Sequence, residues 1–226
     1  MSFFSYAWDW LSQSQQWHGA NGIPVRLVQH LVYTGLSLLI AALIALPLGV
    51  IIGHAGRGGT AVVSLANVWR AIPTLGLLVL MVIILAFSVA TWLIPLVVLA
   101  IPPILVNAYE GVLGVDRGLK DAARGMGMTP RQVLMKVEIP VALPLILLGL
   151  RTAAIFVVAT ATIAAEIGLG GLGRYIIDGL ATNNYGEVAG GAVLVVALAL
   201  AVQVSFVGIR RLVVPAGLRQ EAATQS

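Results

Sequence analysis

An all-α bundle of about five membrane-spanning helices is the fold class this sequence predicts, and three observations predict it. Only 10% of its 226 residues are charged, against about 25% in a soluble domain. Its mean hydropathy is +0.99. Apolar stretches of about twenty residues or more recur along the chain, each long enough to cross a ~30 Å hydrocarbon core at ~1.5 Å per residue. One long polar island, residues 114–140, interrupts them.

Residues 3–17 place Phe3, Phe4, Tyr6, Trp8, Trp10 and Trp17 ahead of the first apolar stretch. Aromatic side chains collect at the headgroup level of a bilayer, so an interfacial helix is expected within a segment 1–24. The first 23 residues lack a basic start and a continuous apolar core, so no cleavable signal is expected there. Spans are predicted near 27–53, 61–87, 92–113, 141–167 and 188–209. Pro47 falls in the first, Pro73 breaks the second, and Pro95, Pro102 and Pro103 fall in the third. A membrane bundle tolerates such prolines because neighbouring helices and waters satisfy the freed carbonyls. Gly49 and Gly53 stand at the small-residue spacing that lets two helices approach closely.

Five spans make the loops alternate across the membrane. Arg57, Arg117, Lys120, Arg124, Arg131, Lys136, Arg210, Arg211 and Arg219 then share one side, and only Arg26 and Arg174 take the other. Lys and Arg concentrate on the cytoplasmic side. The island and a tail 213–226 are therefore expected to be cytoplasmic, the N-terminus outside, and residues 25–212 the transmembrane domain. Arg70, Arg151 and Glu166 remain inside predicted spans. Intramembrane charges face a bundle interior or a wet cavity and pair there. Arg151 and Glu166 lie ~22 Å apart along one straight helix, so the expected pair is Arg70 with Glu166 across spans. That pair serves either as interhelical polar glue or as a pathway contact. Glu110 and Glu138 are expected to pair with Lys136 or Arg131.

A charge in hydrocarbon costs about 2.5–3.5 kcal/mol, so the island lies in water. It reads as two short helices joined by a tight turn. Asp121, near the start of the first, suits the positive end of the helix dipole. Ala122, Ala123, Gly125 and Gly127 leave a surface with little side-chain bulk, open to another protein's backbone. Thr129, Pro130 and Gln132 suit the N-cap, N1 and N3 positions of a capping box. Val133, Leu134 and Val137 supply an apolar face, and Pro140 and Pro144 mark the return to the membrane. Ordering a loop this long costs about 1–2 kcal/mol per residue. A capped amphipathic element therefore implies a buried face, provided by a partner or by its own bundle.

Several chemistries are excluded. Without cysteine there is no disulfide framework or thiolate metal site. His18, His30 and His54 lack ligand spacing, and no Ser/His/Asp or Cys/His arrangement stands out. Gly168-Leu-Gly-Gly-Leu-Gly173 spells a dinucleotide fingerprint, but a membrane span precedes it and no strand does; a tight extracytoplasmic turn fits it better. No phosphate loop with Gly-Lys-Ser/Thr occurs, so any ATP is hydrolysed by another chain. The basic residues of the island lack interleaved aromatics, so no nucleic-acid partner is expected despite the net charge of +4.

Asp121-Ala-Ala-Arg-Gly-Met-Gly127, nine residues, then Val137-Glu-Ile-Pro140 resembles the signature loop of ABC importer permeases: EAA, three residues, G, nine residues, I-x-L-P. Asp121 replaces Glu, Val137 replaces Ile and Ile139 replaces Leu, with the spacing intact. Residues 71–80, 107–116, 149–173 and the Gly179-Leu-x-x-Asn-x-Tyr185 segment are similar to the quaternary-amine branch, which handles glycine betaine, choline, carnitine or proline betaine. The likeness covers roughly residues 25–210.

The resemblance implies the fold of the methionine-importer permeases and a chain that does no chemistry itself. A coupling helix in the loop would seat in a groove of a cytoplasmic ABC ATPase dimer, which binds the ATP and Mg; no cofactor belongs to this chain. An extracytoplasmic binding protein would deliver the solute, and a second permease, identical or paralogous, would complete the pathway. Ala122, Ala123 and Gly127 are expected to pack against the ATPase, Lys120, Asp121 and Arg124 to add polar contacts, and Val137, Ile139 and Pro140 to complete the loop. The implied location is the bacterial inner membrane, among lipid. The alternatives are an importer permease for methionine or another small polar solute, and an autonomous channel or scaffold subunit.

Overall fold

The computed structural model describes residues 3–86 and 88–214, apart from the side chains of Leu65, Asn67 and Arg70. Among the described residues every regular element is helical. α1 (Phe3–Leu11) and a 3-10 turn (Ser14–Trp17) precede α2 (Ile23–Ala55), α3 (Gly59–Arg70) and α4 (Thr74–Leu85). Then come α5 (Val89–Leu113), α6 (Arg117–Gly125), α7 (Pro130–Val133) and a π-turn (Leu134–Glu138). α8 (Ile139–Ile163), a second 3-10 turn (Ala164–Ile167), α9 (Gly173–Ala181) and α10 (Tyr185–Val213) complete the order.

Among the described residues four runs are long and apolar enough to cross a membrane: Ile23–Ala55, Val89–Leu113, Pro130–Ile167 and Tyr185–Val213. The span expected at 61–87 is instead two helices of 12 residues each, α3 and α4. Each rises only ~18 Å, short of a ~30 Å core. Pro73 is the cause. It has no N–H to donate and its ring clashes with the preceding turn, and at φ −69°, ψ 116° its backbone is extended. Pro47 and Pro144 lie within α2 and α8 without ending them. Most of the expected tail, Arg219 included, lies outside the described residues.

The chain forms two compact units, Met1–Ile40 with Ile72–Ala100 and Ala154–Val202, and Ala41–Ala71 with Ile101–Ala153 and Gln203–Ser226. The first has a core of Trp10, Ile23, Val158, Leu172, Tyr175 and Leu198. A second cluster joins Leu78, Ala164 and Leu169, with Tyr33 and Trp92 packed on it. α1 is held to the first core through Trp10, whose ring meets Tyr175 edge-on at 5.0 Å. Gly190 makes room for that indole, since a Cβ there would collide with it. Phe3, Phe4 and Trp8 on α1 stay exposed. One face of the aromatic segment is thus core and the other is free.

The second unit is centred on Ala108, Val112, Ala142 and Ile146, with Leu46, Val50, Leu134 and Leu150 against them. Its helices touch backbone to backbone. A Cβ on Gly49 would stand 2.7 Å from the Leu105 carbonyl oxygen, and one on Gly53 2.8 Å from that of Tyr109. The small-residue spacing in the sequence is therefore a real α2–α5 contact.

Candidate functional site

The polar island folds as α6, a turn, α7 and the π-turn into α8. Asp116, not Asp121, caps α6: its side chain accepts the Leu119 N–H at 3.0 Å. The helix starts earlier than the sequence reading placed it because an Asp followed by helix-compatible residues satisfies an orphan N–H at once. Asp121 lies one turn further on and pairs with Arg124 at 3.3 Å on the exposed side. α6 ends with Met128 N–H donating to the Ala123 carbonyl at 3.2 Å and Gly127 N–H to that of Arg124 at 2.9 Å. Gly127 sits at φ +83° with open space around the position of a side chain. That left-handed conformation is the one glycine adopts without steric cost.

The capping box of α7 forms as the sequence predicts. Gln132 N–H donates to Thr129 Oγ1 at 3.4 Å, and Thr129 N–H donates to Gln132 Oε1 at 2.8 Å, with Pro130 at the first helical position. The π-turn follows, with Ile139 N–H donating to the Leu134 carbonyl. Its five-residue repeat brings Val133 and Glu138 inward together, and both are buried. Val137, Ile139 and Pro140 are half-buried along this turn and the first turn of α8.

The expected docking residues divide. Asp121, Ala122, Arg124 and Gly127 are exposed. Ala123 is buried within the chain, and Lys120, with 14% of its side chain exposed, turns inward. Lys120 Nζ donates to the Val112 carbonyl at 3.1 Å and lies 3.6 Å from Glu138 Oε1. Glu138 Oε2 accepts from His54 Nδ1 at 2.6 Å. Glu138 therefore takes Lys120 and His54 as partners rather than Lys136 or Arg131. Helix spacing favours the near basic residues; the close approach of α2, α5 and α6 ends brings the distant ones nearer.

The intramembrane charges are placed separately. Arg151 Nε donates to Gln203 Oε1 at 2.7 Å, beside a 530 Å³ cleft lined by Pro144, Leu148, Phe206 and Arg210. Glu166 is exposed in the second 3-10 turn, on a 320 Å³ cleft with Val79, Val82, Gly168 and Arg174. Arg174 is engaged elsewhere: it pairs with Asp178 and donates to the Ala165 carbonyl at 3.2 Å. The Arg70 side chain, and with it the expected Arg70–Glu166 pair, lies outside the described residues.

The glycine-rich turn at 168–173 is clamped by Gln29 and by His30, a histidine whose spacing in the sequence speaks only against a metal site. Gly171 N–H donates to Gln29 Oε1 at 3.0 Å, and Leu172 N–H to His30 Nδ1 at 3.3 Å. His30 Nε2 donates to the Val158 carbonyl at 3.1 Å. A carbonyl only accepts and an amide N–H only donates, so His30 is held neutral with its proton on Nε2. A polar helical stripe of Arg26, His30, Thr34 and Ser37 was the available signal. Nearby, the Tyr175 hydroxyl donates to the Asn21 carbonyl at 2.6 Å. Burial, reinforced by the charge of Glu187 and opposed by Arg26, pushes its phenol up to about 12. Among the described residues no three His, Cys, Asp or Glu side chains group as metal ligands.

Residues 45–217 match the family described as binding-protein-dependent transport system inner membrane component. The choline transport system permease protein OpuBB of Bacillus subtilis is 32% identical over 192 residues, 85% of this chain and 88% of that protein. The glycine betaine/carnitine/choline transport system permease protein OpuCB of the same organism is 34% identical over 191 residues, 84% of this chain and 88% of that one. Among solved structures, an inward-facing MetNI methionine ABC transporter chain superposes with a TM-score of 0.73 at 28% identity, covering 85% of this chain and 96% of that one.

Proposed function

This chain belongs to the family of binding-protein-dependent transport inner-membrane components, and we propose that it is the permease subunit of an ATP-driven ABC importer for osmoprotectant quaternary amines. As a multi-pass membrane protein it forms part of a pathway and does no chemistry itself. The observation that carries the substrate class is the agreement of relatives at 32–34% identity, over more than four fifths of the chain, whose names specify choline, glycine betaine or carnitine transport.

A cytoplasmic ATPase dimer grips the α6–α7 loop through the exposed Asp121, Ala122, Arg124 and Gly127, with Val137, Ile139 and Pro140 carrying the movement into α8. Its closure around ATP and Mg rocks the permease, and a binding protein delivers solute on the opposite side. The pathway lies between this chain and a second permease, with Arg70, Arg151 and Glu166 as its candidate polar contacts. The loop and C-terminus are cytoplasmic in a bacterial inner membrane, following the distribution of Lys and Arg, and the N-terminus is outside provided that α3 and α4 together make the fifth crossing.

The likeness to a methionine transporter supports a second reading, methionine import. Co-purification of the complex and ATP-dependent uptake in proteoliposomes, with radiolabelled choline, glycine betaine, carnitine and methionine, separates the two. The first reading expects uptake of at least one quaternary amine and none of methionine. Uptake of methionine alone would overturn it, and the absence of any ATP-driven uptake would remove both.

A further inference from the structure

We propose that the buried Lys120–Glu138–His54 cluster is the joint through which α6 moves the membrane helices, with Lys120 and Glu138 acting as positioning residues and not as contacts to a partner. This rests on the coupling role just proposed for the α6–α7 loop. Its geometry is all within the second compact unit. Glu138 has a side chain only 1% exposed, at the end of the π-turn that leads into α8. His54, in the last turn of α2, donates to one of its oxygens at 2.6 Å. Lys120, in α6, faces the other at 3.6 Å and also donates to Val112 in the last turn of α5. Four helix ends therefore meet on one carboxylate and one ammonium.

Three physical points single this cluster out. A buried ion pair is often no more stabilising than apolar residues of the same volume, so folding alone does not account for charge at this place. The ammonium lies against the carbonyl end of α5, where the helix dipole favours a cation, so displacement of α6 is opposed at α5 as well as at α8. The π-turn is the device that delivers Glu138 inward. A continuous α-helix through 133–138 would not put residues five apart on one side, and Glu138 would leave the cluster. A push on α6 is thus carried by Lys120 to α5, by Glu138 to α8, and through Glu138 to the end of α2. An apolar filling would let these ends slide, because dispersion contacts lack direction.

The test uses the assembled complex in proteoliposomes with ATP and the solute that the wild-type complex takes up from the choline, glycine betaine, carnitine and methionine panel. Glu138→Gln keeps the shape of the joint but removes its charge. The double variant Lys120→Met with Glu138→Leu removes both charges, so neither is left buried alone, and His54, whose side chain is 26% exposed, can turn to water. Both variants are expected to assemble and hydrolyse ATP while moving about fivefold less solute per ATP, or worse, the lower end of ordinary coupling between sites. A merely structural role would lower transport and hydrolysis together, in proportion to the complex recovered. A wild-type ratio of solute to ATP in the double variant would overturn the proposal. So would failure of both variants to assemble, which would make the cluster a folding element. Absence of ATP-driven uptake by the wild type would instead strike the transport reading itself.

Discussion

The imidazole of His30 accepts a hydrogen bond from the backbone N–H of Leu172 at 3.3 Å, joining α2 to the end of the glycine-rich turn. The ring is fully buried and its other nitrogen is spent on Val158. His30→Ala leaves the Leu172 N–H without its acceptor, at a cost of about 1–3 kcal/mol. The Val158 carbonyl keeps a donor in Thr162 Oγ1 at 3.0 Å, so the damage should concentrate at the turn. Hydrogen exchange at residues 168–173 should quicken more than in the rest of the chain; unchanged protection there would refute the clamp.

Gly53 tolerates no larger side chain because α5 runs directly across it, with the Tyr109 carbonyl 2.8 Å from the position of a Cβ. Gly53→Val should cost about 1–3 kcal/mol through forced separation of the two helices. Gly35→Ala in the same helix meets open space and should be neutral or stabilising by about 0.5–1 kcal/mol. Thermal midpoints of the purified complex read the contrast.

Gly127 separates two demands on one residue. Its φ of +83° penalises ordinary side chains by about 1–2 kcal/mol, whereas asparagine visits that region readily. If the backbone turn is what matters, Gly127→Asn should retain more ATP-driven uptake than Gly127→Ala. If a docked ATPase leaves no room for a side chain, both should lose uptake alike, the larger Asn at least as much. Uptake and solute-stimulated ATP hydrolysis, measured together, decide between these outcomes.

Tyr175 gives a pH dependence of known sign. Its phenol is raised to about 12 in the folded chain, above the ordinary value of about 10. The folded state therefore holds the proton where the unfolded chain has lost it. The stability tied to the neutral phenol is intact below pH ~10 and declines as pH climbs toward ~12. Tyr175→Phe should flatten that decline, as read by thermal midpoints measured across that pH range.

The parts legible in sequence were those set by neighbours a few residues away. The Thr129–Gln132 capping box, the break at Pro73 and the approach at Gly49 and Gly53 each follow from backbone rules acting over one or two turns. The family resemblance lay in the spacing from Asp121 to Pro140. Lys120 was misplaced for the same reason that these succeeded. Its helix spacing puts it beside Asp121 and Arg124 on a polar loop, and nothing local records that the ends of α5 and α2 lie beneath it.

By itself, then, the chain of residues determined a helical membrane protein, its apolar segments and a capped polar loop of permease type. Apolar length, capping groups and proline act locally and leave a periodic trace. Only the tertiary structure decided which polar groups turn inward: His30 onto the glycine-rich turn, Glu138 onto Lys120 and His54, Arg151 onto Gln203. A buried polar group takes whatever partner the packing brings within ~3 Å, and His30, Glu138 and Arg151 each find one 52 residues or more away along the chain.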